Sequence, residues 1–187
     1  MRNLEPMRCV AIAVDLQNGF LDPCTRDVVG PATRFTADLI GFGVPVFASR
    51  FANTVDSQWA VLLPWSGSIS AEECRLVPGI EELVAPERVF DKQSYTSFSP
   101  VVRQYAENTG ANTVLIYGFT TESCVLATAF HVFDLGYRPI VVSDCVAGAY
   151  NAPHSGRDSL NHIGYVIGDT QVLSSDQVIQ RLEYRFT

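Results

Sequence analysis

Uninterrupted apolar runs alternate along the chain with amphipathic stretches that end at glycine. Cys9-Val10-Ala11-Ile12-Ala13-Val14 has no polar position, the pattern of a strand buried on both faces, and it stops at Asp15. Pro31 to Gly41 predicts a helix carrying Phe35, Leu39 and Ile40, with a glycine stop. Val44 to Ala48 predicts a second strand and Arg88 to Phe90 a short third one. Pro100 to Thr109 reads as a helix closed by Gly110, and Thr113 to Tyr117 as a fourth strand. Cys124 to Leu135 reads as a helix with Val125, Ala129, Val132 and Phe133 on one face, ending at Gly136. Ile140 to Ser143 predicts a fifth strand, His154 to His162 a helix, Tyr165 to Ile167 a sixth strand, and Ser175 to Tyr184 a last helix.

Strands that alternate with helices, with no internal repeat, predict a doubly covered parallel sheet: an α/β fold of three layers, α/β/α, with six strands. At 187 residues the chain fits one domain, residues 1–187, large enough to need no disulfide or metal staple. Phe51 to Pro86 is the least regular stretch and holds Trp59, Pro64, Trp65 and Pro78. An insertion of this length is either a lid or binding loop, or a surface excursion anchored by its tryptophans.

Charge and composition narrow the function. The net charge is −7 and no basic run occurs, which argues against nucleic-acid binding. No apolar stretch approaches the roughly 20 residues of a membrane span. Met1 to Arg8 lacks the apolar core of a signal peptide, so the expected location is cytoplasmic. Five cysteines, at 9, 24, 74, 124 and 145, are odd in number and irregularly spaced, which speaks against a disulfide framework or a zinc site. Cys9 and Cys145 read as buried reduced thiols. Of the thirteen basic residues twelve are Arg and one is Lys92. A single Lys suggests a position that needs a compact ammonium rather than a planar guanidinium, although compositional drift would give the same count.

In an open α/β sheet, ligands bind at the carboxyl ends of the strands. Asp15, Lys92 and Cys124 each follow a predicted strand there. Cys124 opens a helix, where the positive dipole end favours a thiolate and free backbone N–H groups can receive an oxyanion. A thiol beside an acid and an amine is an acyl-transfer device: the carboxylate moves the proton and the ammonium holds the charges in place. His131, His154 and His162 sit on or beside helices and look structural, so a Cys–His pair is not supported.

Four segments carry a resemblance to the isochorismatase-like superfamily of cysteine hydrolases. They are Ala13-Val14-Asp15-Leu16-Gln17-Asn18-Gly19-Phe20-Leu21, Gly43-Val44-Pro45-Val46-Phe47, Phe90-Asp91-Lys92-Gln93-Ser94-Tyr95-Thr96-Ser97-Phe98, and the run from Gly118 to Ala129 with Asp134-Leu135-Gly136-Tyr137 and Val141-Val142-Ser143-Asp144 behind it. The resemblance implies a six-stranded parallel sheet, an Asp15–Lys92–Cys124 triad, and a cis peptide at Phe119-Thr120 that aims the Thr120 and Cys124 N–H groups at an oxyanion. It also implies a homo-oligomer, a dimer or tetramer. The nicotinamidase branch binds a metal through an Asp and several His just after the second strand. Here that stretch reads Ser49-Arg50-Phe51-Ala52-Asn53-Thr54-Val55-Asp56, without His, so neither metal nor other cofactor is expected.

The sequence thus points to a metal-free hydrolase that cleaves an amide or ureide C–N bond of a small molecule through a Cys124 thioester. Gln17, Phe20, Tyr95 and Phe98, with Trp59 or Trp65, are the expected pocket lining. The rival readings are vinyl-ether hydrolysis of the isochorismatase type and a catalytically silent binding scaffold.

Overall fold

The computed structural model describes residues 4–5, 8–63, 65–149 and 155–183. Six strands form one parallel sheet in the order β3-β2-β1-β4-β5-β6: β1 Cys9–Val14, β2 Val46–Phe51, β3 Val89–Lys92, β4 Thr113–Phe119, β5 Arg138–Ala147 and β6 Val172–Leu173. Every residue of β1 and β4 is buried, which explains why these two strands read as continuous apolar runs rather than alternating ones. The helices are α1 Arg26–Gly41, α2 Gln58–Leu62, α3 Ala71–Cys74, α4 Pro78–Leu83, α5 Pro100–Thr109, α6 Leu126–Asp134, α7 Ser155–Ile167 and α8 Ser175–Glu183. Helix α1 packs with α4 and α8, and α6 packs with α7. With the strand order reversing between β1 and β4, the usual right-handed crossover puts these two groups on opposite faces of the sheet, giving the three predicted layers.

The sheet order places the site. The strands run outward from β1 in one direction and from β4 in the other, so the order reverses between these two neighbours. A crevice opens there at their carboxyl ends. The contact at that edge is close because position 118 is glycine. Gly118 pairs with Val14 at φ +119°, and a Cβ there would lie 2.1 Å from the Val14 carbonyl oxygen.

The largest departure from the sequence reading is at Tyr165–Ile167, which ends α7 instead of forming a strand. Ile163 and Ile167 are buried while Tyr165 and Val166 face solvent, a spacing of four that belongs to a helix face. The sixth strand is Val172–Leu173, too short for its own periodicity to show. Helix α1 starts at Arg26, five residues before Pro31, because the Asp22 carboxylate accepts the Cys24 and Thr25 N–H groups and fixes the approach to the first turn. Strand β5 runs on to Ala147 past a register shift beside Gly118. The irregular stretch 51–86 contains α2, α3 and α4, with a capping box between Ser70 and Glu73. Pro64, His154 and Tyr184 lie outside the described residues. All five cysteines are free thiols, with Cys9 and Cys145 buried as expected. Among the described residues no helix is long and apolar enough to cross a membrane.

Candidate active site

Asp15 follows β1 directly and lies in the left-handed region, at φ +48°, a conformation that Asp tolerates better than most residues. Its carboxylate is sealed from solvent, and its two oxygens are treated differently. Oδ1 accepts the Ser49 hydroxyl at 2.7 Å. Oδ2 lies 2.8 Å from the Lys92 ammonium, which approaches off the hydrogen-bond axis, so Oδ2 has an ionic neighbour but no aligned donor.

Lys92 is the last residue of β3, and its side chain is only 4% exposed. Its ammonium donates to the carbonyls of Ser94 at 2.8 Å and Tyr95 at 3.2 Å, and to the Cys124 Sγ at 3.5 Å. It also stands 5.1 Å from the centre of the Phe51 ring. A buried cation is thus surrounded by a carboxylate, two carbonyls, a sulfur and a ring face, all of which stabilise positive charge. The position closes the core at the strand end.

Cys124 follows β4 through a π-helical turn, Thr121–Val125, before α6 begins. The Val125 N–H reaches back five residues to the Thr120 carbonyl, which widens the turn. The Thr128 hydroxyl takes up the Cys124 carbonyl at 2.6 Å. The Phe119-Thr120 peptide is cis. Burial pushes the Cys124 thiol from its ordinary 9.0 up to about 12; the neighbouring Asp15 carboxylate adds to the rise and Lys92 opposes it. This corrects the expectation that the helix start favours a standing thiolate. The thiol rests protonated, and its proton has to pass to a base as the sulfur attacks.

The residues expected to line a pocket separate into two groups. Trp59 and Tyr95 border a cavity of about 390 Å³ together with Gln58, Leu62, Leu63, Gln93 and Ser94. Asp15, Lys92 and Cys124 are not among the residues that line it; its link to the triad is the Ser94 and Tyr95 main chain, whose carbonyls accept from the Lys92 ammonium that also donates to Sγ. Rings run beside the triad without a break: Phe20 on Trp65 at 5.9 Å, Trp65 on Phe51 at 5.6 Å, Phe51 on Trp59 at 5.0 Å and Trp59 on Tyr95 at 5.6 Å. Phe20 and Trp65 belong to this run of rings and are not among the residues that line the cavity.

Gln17 and Phe98 are corrections. Gln17 is fully buried; its amide donates to the carbonyls of Phe51 and Cys74 and accepts the Phe51 N–H, so it ties β1 to β2 and α3 and has no donor left for a ligand. Phe98 is 2% exposed and packs on Tyr137 and His131 behind α6. His131 bonds Thr96 and His162 packs on Phe130, in line with structural roles.

Three side chains were missed by sequence reasoning: Ser49, Ser97 and Thr128, all fully buried. Ser49 is the polar position inside the otherwise apolar start of β2, Val46-Phe47-Ala48-Ser49, and that interruption was the available signal. Among the described residues no three His, Cys, Asp or Glu side chains converge as metal ligands would.

Known proteins share both fold and sequence with this chain. A cysteine hydrolase from Pseudomonas syringae pv. phaseolicola superposes with a TM-score of 0.84 at 21% identity, covering 98% of this chain and 96% of that one. The N-carbamoylsarcosine amidase of Thermoplasma acidophilum superposes with a TM-score of 0.76 at 21% identity, covering 90% and 97%. At that identity the likeness concerns the fold. Maleamate amidohydrolase of Pseudomonas putida strain KT2440 is 29% identical over 119 residues, 63% of this chain, so the chain spans about half, 52%, of the length of the curated relative it matches. The isochorismatase domain model matches residues 9–167, which hold strands β1 to β5 with Asp15, Lys92 and Cys124, and the chain belongs to the isochorismatase family of hydrolases.

Proposed function

We propose that the protein is a cysteine amidohydrolase acting on a small amide or ureide. The single observation that carries this reading is the Lys92 ammonium, buried between Asp15 Oδ2 at 2.8 Å and Cys124 Sγ at 3.5 Å. Asp15 Oδ2, which has no aligned donor, takes the thiol proton as Sγ forms a bond to the substrate carbonyl carbon. The electron pair displaced onto oxygen is received by the backbone N–H groups of Thr120 and Cys124. When the tetrahedral adduct collapses, the C–N bond breaks and the Asp15 proton passes to the leaving nitrogen. Water then adds to the thioester, giving a proton to Asp15. The acid departs and the proton returns to sulfur, so the sum is amide plus water to acid plus amine. Lys92 keeps the carboxylate turned toward sulfur and balances whichever of the two is anionic. Trp59 and Tyr95, with Leu62 and Leu63, receive the apolar part of the substrate.

The test is a panel of primary amides, ureides and isochorismate assayed for ammonia or pyruvate release, with Cys124→Ala alongside. Ammonia release that Cys124→Ala abolishes, with a trapped acyl adduct on Cys124 by mass spectrometry, is expected. Isochorismate turnover that survives Cys124→Ala would establish the vinyl-ether reading instead. Absence of turnover across the panel, with no acyl adduct, would favour the silent scaffold.

A further inference from the structure

Ser49 has a role that the triad alone leaves open. Its one hydroxyl proton goes to Asp15 Oδ1 at 2.7 Å. Its oxygen also accepts the Asp15 backbone N–H at 3.2 Å, so a single hydroxyl clamps both the side chain and the main chain of a residue held at positive φ. The Ser97 hydroxyl lies 2.9 Å from the same oxygen. With Ser49's proton already committed, Ser97 must be the donor in that contact. Both lone pairs and the proton of Ser49 are then used. Ser97 in turn donates its backbone N–H to the Thr128 hydroxyl at 2.9 Å, and that hydroxyl donates to the Cys124 carbonyl at 2.6 Å. One buried chain of hydrogen bonds therefore joins the proposed base on β1 to the proposed nucleophile before α6, through β2 and the segment after β3. All its side chains are fully buried, where a hydrogen bond is stronger and a vacancy more costly than at the surface.

We propose that Ser49 is the positioning residue of the Asp15 base, with Ser97 supporting it; this rests on the amidohydrolase reading above. Ser49 divides the carboxylate into a held oxygen, Oδ1, and a working oxygen, Oδ2. Without it, the carboxylate is free to swing about its Cα–Cβ and Cβ–Cγ bonds and to meet the ammonium with either oxygen. The oxygen aimed at sulfur is then no longer fixed, and a displacement of about 1 Å at a reacting group costs on the order of a hundredfold.

The test needs no knowledge of the substrate. Iodoacetamide, itself a small primary amide, is used as the probe, and the rate of Cys124 alkylation is read by peptide mass spectrometry with Cys24 and Cys74 as internal references. Ser49→Ala is expected to slow Cys124 alkylation at least about tenfold while Cys24 and Cys74 react at wild-type rates. Ser49→Thr keeps the hydroxyl and should stay within about threefold of wild type. Ser97→Ala should slow the reaction about threefold, and the Ser49→Ala/Ser97→Ala double variant should be no slower than Ser49→Ala alone, because Ser97 acts through Ser49. Alkylation within twofold of wild type in Ser49→Ala, or fully additive losses in the double variant, overturns the proposal. Should Ser49→Ala fail to fold, seen in circular dichroism and in faster Cys24 and Cys74 labelling, Ser97→Ala decides: a wild-type rate there overturns it. Asp15→Asn separates the two readings. Alkylation indifferent to Asp15→Asn removes the base and with it the amidohydrolase reading, whereas dependence on Asp15 without dependence on Ser49 sinks only the present proposal.

Discussion

The Lys92 ammonium and the Asp15 carboxylate form an ion pair of 2.8 Å in which both side chains are almost completely hidden from water. A buried pair of this kind contributes little net stability, yet removing one partner leaves an uncompensated charge that costs about 3–5 kcal/mol. What the pair supplies is a fixed geometry, with the same ammonium held by two carbonyls and facing the Cys124 sulfur.

Lys92→Arg is therefore expected to lose at least about a hundredfold in kcat/KM, measured on purified folded protein. An ammonium offers three donors around a point, matching the two carbonyls and the sulfur it already meets beside the carboxylate, whereas a guanidinium needs a planar fork of acceptors. The structure adds a second expectation: with a side chain 4% exposed at this position, the larger group also lowers the melting temperature. Arg88→Lys is the control. Its guanidinium lies about 6 Å from the ring centres of Phe47 and Tyr105, so the change costs about 0.5–1 kcal/mol of stability and leaves kcat/KM unchanged. Retention of more than half the activity in Lys92→Arg would refute the triad assignment.

Stability should fall steeply above pH 9. Burial raises the thiols of Cys9, Cys124 and Cys145 from 9.0 to about 12, and raises the Tyr117 phenol as well. A group whose folded value lies above its unfolded one binds its proton more tightly in the native state. Its contribution is complete below the unfolded value and is lost as pH rises toward the folded one. Each thiol then removes about 1.4 kcal/mol per pH unit between 9 and 12, about 4 kcal/mol per unit for three. Urea midpoints at pH 7, 9 and 10.5 should be flat over the first interval and drop over the second. A midpoint independent of pH up to 10.5 would contradict the burial of these thiols.

Gly118→Ala should abolish or severely impair folding. The added methyl would lie 2.1 Å from the Val14 carbonyl oxygen, against backbone rather than a movable side chain, at φ +119°. Two strands cannot separate locally at the centre of a six-stranded sheet without losing the register that brings Asp15 and Cys124 together. The expected cost exceeds about 4 kcal/mol, read as insoluble expression or a melting temperature lowered by more than 10 °C.

Much of this architecture was legible because parallel sheets write themselves into sequence as unbroken apolar runs. Strands β1 and β4, both sealed on two faces, were placed at or within two residues of their ends, and with them the positions of Asp15 and Cys124. Helix α5, with proline at its start and glycine just after its end, was placed at both ends. The errors fell where the chain's local signal is ambiguous or short. Tyr165-Val166-Ile167 is β-branched and aromatic, yet it belongs to a helix whose buried positions lie four apart. Two-residue β6 has no period to detect. In the site, residue type and strand-end position marked the three triad members. They did not reveal that Cys124 would be buried enough to remain a thiol, since the helix start argues the other way. Nor did they mark Ser49 or Ser97, whose roles arise from contacts 34 and 48 residues apart in sequence.

Gln17 and Tyr95 stood together in the sequence reading as pocket residues, and the structure predicts opposite consequences for their removal. Gln17 makes three hydrogen bonds to the backbone of Phe51 and Cys74 and is fully buried. Gln17→Ala removes the acceptor of the buried Phe51 N–H and the amide donor of the Phe51 and Cys74 carbonyls, leaving the Phe51 carbonyl only the Cys74 thiol at 3.8 Å, and each lost buried bond costs about 1–3 kcal/mol. The variant should lose several kcal/mol of stability, with kcat and KM of the remaining folded protein near wild type at low temperature. Tyr95, 42% exposed as a residue, keeps its backbone carbonyl on Lys92 whatever its side chain is, while its ring meets Trp59 beside the cavity that both residues line. Tyr95→Ala should therefore fold with little loss of stability and leave kcat nearly intact, because the Lys92 contact is a main-chain one. It should raise KM about tenfold for a substrate with an apolar acyl group, the equivalent of about 1.4 kcal/mol of lost ring contact. Thermal melts and steady-state kinetics on the two variants separate these outcomes. A Tyr95→Ala enzyme whose kcat collapses at unchanged KM would mean that the ring holds the triad and does not contact substrate.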